Sequence, residues 1–102
     1  MDITLQYFDD CPNWKLVDAR FQALKAEGLD LDVTYQSIET PEAAAEAGFR
    51  GSPTVLLDGL DPFANPDAPV GLSCRVYPTA EGYAGSPTLD QLRTAVESAG
   101  TS

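Results

Sequence analysis

Tyr7-Phe8-Asp9-Asp10-Cys11-Pro12-Asn13-Trp14-Lys15-Leu16 is the stretch that decides the fold. It reads as the end of a β-strand, a short acidic turn, and a cysteine at which a helix begins. Proline suits the first helical position, where its missing N–H has no partner to lose and its φ is already helical. With Pro12 there, Cys11 falls at the N-cap, where orphan backbone N–H groups and the positive end of the helix dipole meet its sulfur. A thiolate is favoured at such a place, and the thiolate is the form of cysteine that attacks disulfides or binds soft metals.

Upstream, residues 2–8 alternate Ile3, Leu5 and Tyr7 with Thr4, Gln6 and Phe8, the period of a strand. Downstream, a helix runs to about Glu27 with Trp14, Val17, Phe21 and Leu24 on one stripe, and Gly28 supplies a left-handed cap. Residues 31–38 are rich in β-branched and aromatic side chains and predict a second strand. Thr40-Pro41-Glu42 opens an alanine-rich helix that Gly48 ends. Phe49-Arg50-Gly51-Ser52-Pro53 is a turn into Thr54-Val55-Leu56-Leu57, an apolar run expected to be a central strand. Asp58-Gly59 leaves it in a tight turn. Residues 59–72, with Pro62, Pro66 and Pro69, predict an irregular loop.

Val70, Leu72, Cys74 and Val76 then alternate with polar or small residues, predicting a fourth strand with Cys74 buried as a small hydrophobe. Residues 78–87 are turn-like. Thr88-Leu89-Asp90-Gln91 matches a capping box for a closing helix whose apolar face is Leu89, Leu92 and Val96, with fraying expected at its last residues. Gly-Ser-Pro-Thr occurs twice, at Gly51 and Gly85, in different settings, and reads as coincidence. The expected order is β-α-β-α-β-β-α, one α/β domain over residues 1–102 with a mixed four-stranded sheet flanked by helices.

A chain of 102 residues can bury a core of its own without staples. Its net charge of −10 argues against nucleic acid or an anionic membrane as partner. No window is apolar enough to span a bilayer, and residues 3–8 are too short and too alternating for a secretory signal, so a cytoplasmic protein is expected. There are two cysteines, Cys11 and Cys74, and no histidine. Ser-His and Cys-His catalysis and histidine-based zinc sites are thereby excluded. In a reducing compartment the two cysteines are expected as thiols rather than a permanent staple.

This element order, with Cys-Pro at the start of the first helix and a proline just before the third strand, resembles the thioredoxin fold. Phe49-Arg50-Gly51-Ser52-Pro53-Thr54-Val55-Leu56-Leu57 is similar to the thioredoxin segment around its cis-proline. Tyr7-Phe8 through Cys11-Pro12 is similar to the glutaredoxin version of the active-site corner, and the closing Gln91-Leu92 helix also fits. The resemblance implies that Pro53 is cis and lies against Cys11. It also implies that the backbone of Ser52 is exposed to pair with an extended substrate or a small thiol. The chain departs from the dithiol members at Trp14, which stands where they carry a second cysteine, so the pattern is monothiol. The buried acid of thioredoxin's first strand has no counterpart. Asp9 and Asp10 flank the thiol instead, where their charge raises its pKa and either can accept a proton. Small bacterial proteins similar to this chain are sometimes labelled alkylmercury-lyase-like. Organomercurial lyases use two cysteines and an aspartate, the residue types of Cys11, Cys74 and Asp10.

The function implied is thiol–disulfide exchange. Cys11 forms a mixed disulfide with a small thiol or a protein, resolved by an external thiol or by Cys74. Asp10 is a candidate proton acceptor, Pro12, Trp14, Ser52 and Pro53 are candidate substrate-binding residues, and no cofactor is needed. One alternative is capture of a soft cation such as Hg²⁺, Cu⁺ or Zn²⁺ by Cys11 and Cys74. Another is a non-catalytic interaction module. In each case a plainer role stands beside the functional one: Trp14 as part of the core stripe, Asp9 and Asp10 as exposed turn acids, Cys74 as core. Whether Cys74 meets Cys11 stays open. The simple topology starts strand four at the far end of the sheet, yet the loop, at ~3.3 Å per residue, can run back along a strand of ~17 Å. Cα atoms within about 7 Å would permit a reversible disulfide or a two-thiolate metal site.

Overall fold

The computed structural model describes residues 1–64 and 67–100. Strand β1 (Asp2–Tyr7) is the centre of a three-stranded sheet. Helix α1 (Asn13–Ala26) carries the chain over to β2 (Asp32–Ser37), which pairs with β1 in parallel. After α2 (Pro41–Ala47), β3 (Thr54–Leu57) pairs with the other side of β1, antiparallel. The sheet order is therefore β2-β1-β3. A separate hairpin, β4 (Tyr77–Thr79) and β5 (Gly82–Ala84), precedes the closing helix α3 (Leu89–Gly100).

One core fills the space between sheet and helices. Ile3 and Leu5 of β1, Val55 and Leu57 of β3, Val17, Phe21 and Leu24 of α1, and Leu92 and Val96 of α3 are all buried in it. Phe21 and Leu24 are the expected stripe of α1, and Trp14 joins it only partly buried. A smaller cluster of Ile38, Ala44 and Phe49 sits under α2.

The local signals read from the sequence hold where the interaction is local. Thr40 Oγ1 accepts from the Ala43 N–H at 3.0 Å, and Gly48 ends the helix with φ 65°. Thr88 and Gln91 cap reciprocally: the Thr88 N–H donates to Gln91 Oε1 at 2.8 Å and the Gln91 N–H to Thr88 Oγ1 at 3.0 Å. Asp58 and Gly59, with φ 48° and 88°, make the two-residue turn between Leu57 and Leu60.

Four expectations are corrected. The sheet has three strands among the described residues, not four, and β3 is an edge of it rather than its centre. Residues 70–76 are not a strand; their one ladder contact is a bridge between Cys74 and Ser52. Their alternation points the other way, with Val70, Leu72 and Val76 exposed and Arg75 and Tyr77 inward. The reason is the size of Tyr77: its ring covers more apolar surface than a valine, and its hydroxyl donates to the Pro53 carbonyl. In extended chain, fixing one residue inward sends its neighbours out. Residues 78–87 were expected to be turn alone, yet they hold the β4–β5 hairpin, where Thr79 Oγ1 accepts from Glu81 N and donates to Gly82 O. Pro66 of the predicted loop and the last two residues of the predicted fraying end lie outside the described residues. No helix among the described residues is long and apolar enough to cross a membrane.

Arg93 of α3 grips Glu27 at the end of α1 through two hydrogen bonds, 3.1 and 2.7 Å. That hydrogen bonding holds the Glu27 carboxyl below its usual range. A depressed carboxylate stabilises the fold above its unfolded pKa, about 4.3, and the contribution is lost as pH falls through the lowered folded value. Arg93→Leu is therefore expected to be less stable than wild type at pH 7 in urea denaturation. The gap should narrow steadily below about pH 4.

Candidate functional site at the Cys11–Cys74 disulfide

The acidic turn after β1 is closed by a hydrogen bond from the Cys11 N–H to the Phe8 carbonyl, 3.2 Å. It delivers Cys11 to the start of α1 with 0% of its surface exposed. Pro12, with φ −74° and ψ −5°, is the cap of the helix, and its carbonyl accepts from the Lys15 N–H at 3.1 Å. Cys11 thus lies one position before the cap expected of it. Asn13 Nδ2 reaches to 3.9 Å from its sulfur, and the Ser52 carbonyl oxygen lies 3.5 Å away. In the disulfide that sulfur has no proton, so the second approach is a contact; a reduced Cys11 would donate there.

The peptide bond between Ser52 and Pro53 is cis, and both residues are buried beside Cys11. The Ser52 backbone, however, is not exposed to take a partner from outside. Its N–H donates to the Ser73 carbonyl at 2.8 Å, and its carbonyl accepts from the Arg75 N–H at 2.8 Å. The chain's own segment 73–75 fills that position, pairing with Ser52 in parallel. This brings Cys74 to Cys11 across 63 positions of sequence, with their Cα atoms 5.9 Å apart, and the two sulfurs form a disulfide. The open question of whether they meet is answered by the loop running back along the sheet. Two expectations are corrected by the same fact. The cysteines are paired rather than separate thiols, and Cys74 is exposed rather than core.

Gly51 makes the close approach feasible. Its φ is 120°, and a Cβ there would lie 3.0 Å from Arg75 Cβ, 3.1 Å from Ser73 O and 3.2 Å from Arg75 Cα. The far side of the segment is held by Arg75, whose side chain is only 8% exposed. Its guanidinium donates to Asp61 at 2.7 and 3.5 Å, to Thr54 Oγ1 at 3.3 Å and to the Phe63 carbonyl. It also lies over the Tyr77 ring, 4.7 Å from the centroid. Thr54 Oγ1 passes the connection on, donating to the Gly51 carbonyl at 2.6 Å. Burial pushes the Tyr77 hydroxyl well above its usual range, so it stays a donor to Pro53 O. Neither Arg75 nor Asp61 is singled out by any sequence signal, because their meeting depends on how a proline-rich loop returns.

The remaining candidates divide. Pro12 is exposed at the mouth of α1. Trp14 stacks on Tyr7 at 4.3 Å and meets Tyr35 edge-on at 6.4 Å, contacts that tie α1 to the sheet. Asp9 and Asp10 are exposed, and neither takes a hydrogen bond or ion pair among the described residues, so nothing fastens a carboxylate to the sulfur. The repeated Gly-Ser-Pro-Thr meets different residues in its two copies, and only the second packs on α1. The first lies against Cys11, while Gly85 leaves room for Asn13 and Ser86 accepts from Arg20 at 2.9 Å. A cleft of about 440 Å³ opens beside the segment, lined by Cys74, Ser73, Arg75, Phe63 and Tyr77, and Cys11 does not reach it. Among the described residues no group of three or more candidate ligands could hold a metal.

No family model, curated protein or solved structure matches this chain.

Gly51→Ala should destabilise the oxidised protein by about 1–3 kcal/mol, the range for a non-glycine residue forced into unfavourable backbone space. Chemical denaturation checks this, and Gly59→Ala, whose Cβ would meet nothing within 4 Å, is the comparison for backbone effect alone.

Proposed function

We propose that this protein is a thioredoxin-like thiol–disulfide exchange protein in which Cys11 and Cys74 work as one reversible pair. The observation that carries the reading is the meeting of the two sulfurs at the start of α1, beside the cis Ser52–Pro53 bond. The parallel β1-α1-β2 unit, the antiparallel β3 and the packed helices support a thioredoxin-like framework. In this reading segment 73–75 stands in for a fourth strand at the β3 edge.

The difference in burial supports different roles for the two sulfurs. An incoming thiolate meets Cys74, which is exposed and lines the cleft, rather than the buried Cys11. It attacks the Cys74 sulfur, the S–S bond breaks, and the electron pair leaves on Cys11. A thiolate there is eased by the positive end of the α1 dipole and by the Asn13 amide. A good leaving thiolate speeds exchange. The second thiol of a dithiol then attacks the mixed disulfide, releasing Cys74 as thiolate; the dithiol is oxidised and the pair reduced. Run backwards, the same steps oxidise a substrate dithiol. The substrate class is a small thiol or a protein disulfide, and no cofactor enters.

Dithiothreitol-driven reduction of insulin disulfides tests this. Cys11→Ser and Cys74→Ser should each lose at least tenfold in rate over background. A Cys11→Ser variant as active as wild type would remove the exchange reading, and full activity in Cys74→Ser would remove the assignment of Cys74 as the sulfur first attacked.

A second reading rests on the same 5.9 Å approach: reduced, the two thiolates could hold one soft cation such as Hg²⁺ or Cu⁺ between them. Titration of the reduced protein with such an ion, counting thiols, separates the two. Loss of both thiols per ion favours capture, and no loss eliminates it.

A further inference from the structure

We infer that Arg75 is a positioning residue for the disulfide: by clamping segment 73–75 to Asp61, it holds Cys74 at Cys11 when the S–S bond is broken. The inference rests on the exchange reading above and concerns the reduced state of that same pair.

Segment 73–75 is tied at its flanks by the Gly71 N–H, which donates to the Phe49 carbonyl at 3.0 Å, and by the buried Tyr77, but its own residues have few other anchors. Its apolar neighbours Val70, Leu72 and Val76 are exposed, at 43%, 37% and 59%. Two backbone hydrogen bonds to Ser52 join it to the turn before β3. Net of water, each such bond is worth only about 1 kcal/mol, little against the entropy of ordering a long irregular loop. The one buried anchor within the segment is the Arg75 side chain. Its fork spans three acceptors on two elements, the Asp61 carboxylate and Phe63 carbonyl in the loop and Thr54 Oγ1 in β3. Asp61 is itself set in place by the Phe63 N–H, which donates to Oδ1 at 2.8 Å. Charge-assisted, forked contacts of this kind are the strong and directional ones.

The consequence differs between redox states. In the oxidised protein the S–S bond keeps the segment closed whether or not the clamp is present. In the reduced protein the clamp and the two Ser52 bonds do so, with the flanking ties of Gly71 to the Phe49 carbonyl and of Tyr77 to the Pro53 carbonyl on either side. Loss of the clamp lets the reduced chain alone open, which separates the thiols and lowers the equilibrium constant for closing the disulfide. No electrons pass through Arg75; it sets how often Cys74 is within reach of Cys11.

The test is the equilibrium of the full-length protein with mixtures of reduced and oxidised dithiothreitol, read by alkylation and mass. Arg75→Ala should favour the reduced form about tenfold more than wild type, ~30 mV for a two-electron couple. Arg75→Lys should fall between, since one ammonium reaches Asp61 but cannot span all three acceptors. A residue that merely supported the fold would weaken both redox forms alike and leave this constant where it was. Should Arg75→Ala fail to fold, Asp61→Asn carries the same comparison, with a shift of threefold or more expected in the same direction. Constants within twofold of wild type in the folded variants would overturn the clamp while leaving the exchange reading intact. A wild type that forms no Cys11–Cys74 disulfide even with a strong thiol oxidant such as diamide would overturn both.

Discussion

The pairing of Ser52 with segment 73–75 is the constraint on which the site depends. Two hydrogen bonds of 2.8 Å, one in each direction, bring a distant part of the chain back to the turn before β3. Everything chemical at this corner follows from that return. It closes over the Ser52 backbone, it sets Cys74 outside Cys11, and it turns Arg75 inward. Gly51 admits it by presenting no side chain where Arg75 and Ser73 come close. Closing a loop of 63 positions restrains the unfolded chain by about 4 kcal/mol on the chain-entropy account. The disulfide is therefore a large term in a domain of this size, and its loss would be felt beyond the site.

The site also sets its two sulfurs in different environments. Cys11 is buried just before the opening of α1, with the Asn13 amide 3.9 Å from its sulfur, the setting in which the proposal has it leave as thiolate. Cys74 is exposed beside a cleft, which suits the sulfur that an outside thiol reaches first. The partly buried Arg75–Asp61 pair is a weak source of net stability, because taking charges out of water offsets much of their attraction. Its better-founded use is registry, fixing which residue of an otherwise loosely packed segment faces inward.

What was legible in the sequence was what local interactions decide. Thr40, Gly48 and the Thr88–Gln91 box act within a turn of their own helices, and the stripe of α1 is a property of its own period. Cys11 at a helix start was readable for the same reason, one residue short of the true cap. The partner of Cys11 was not, because it depends on the path of a loop whose turns have no period. The alternation of residues 70–76 pointed to the wrong face, since Tyr77 covers more apolar surface inside than a valine does and Arg75, two residues before it, shares its face. The β4–β5 hairpin is not legible in the sequence because Pro78 and Gly82 read as turn punctuation. A two-stranded ribbon tolerates proline where a central strand would not.

The central claim is that Cys11 and Cys74 open and close together as a single two-electron unit. Alkylation of the protein across a redox titration, followed by intact mass, tests it most directly. A paired unit gives only two populated species, one with no label and one with two, exchanging at a single midpoint. A substantial population carrying one label, or two thiols titrating at separate midpoints, would contradict it.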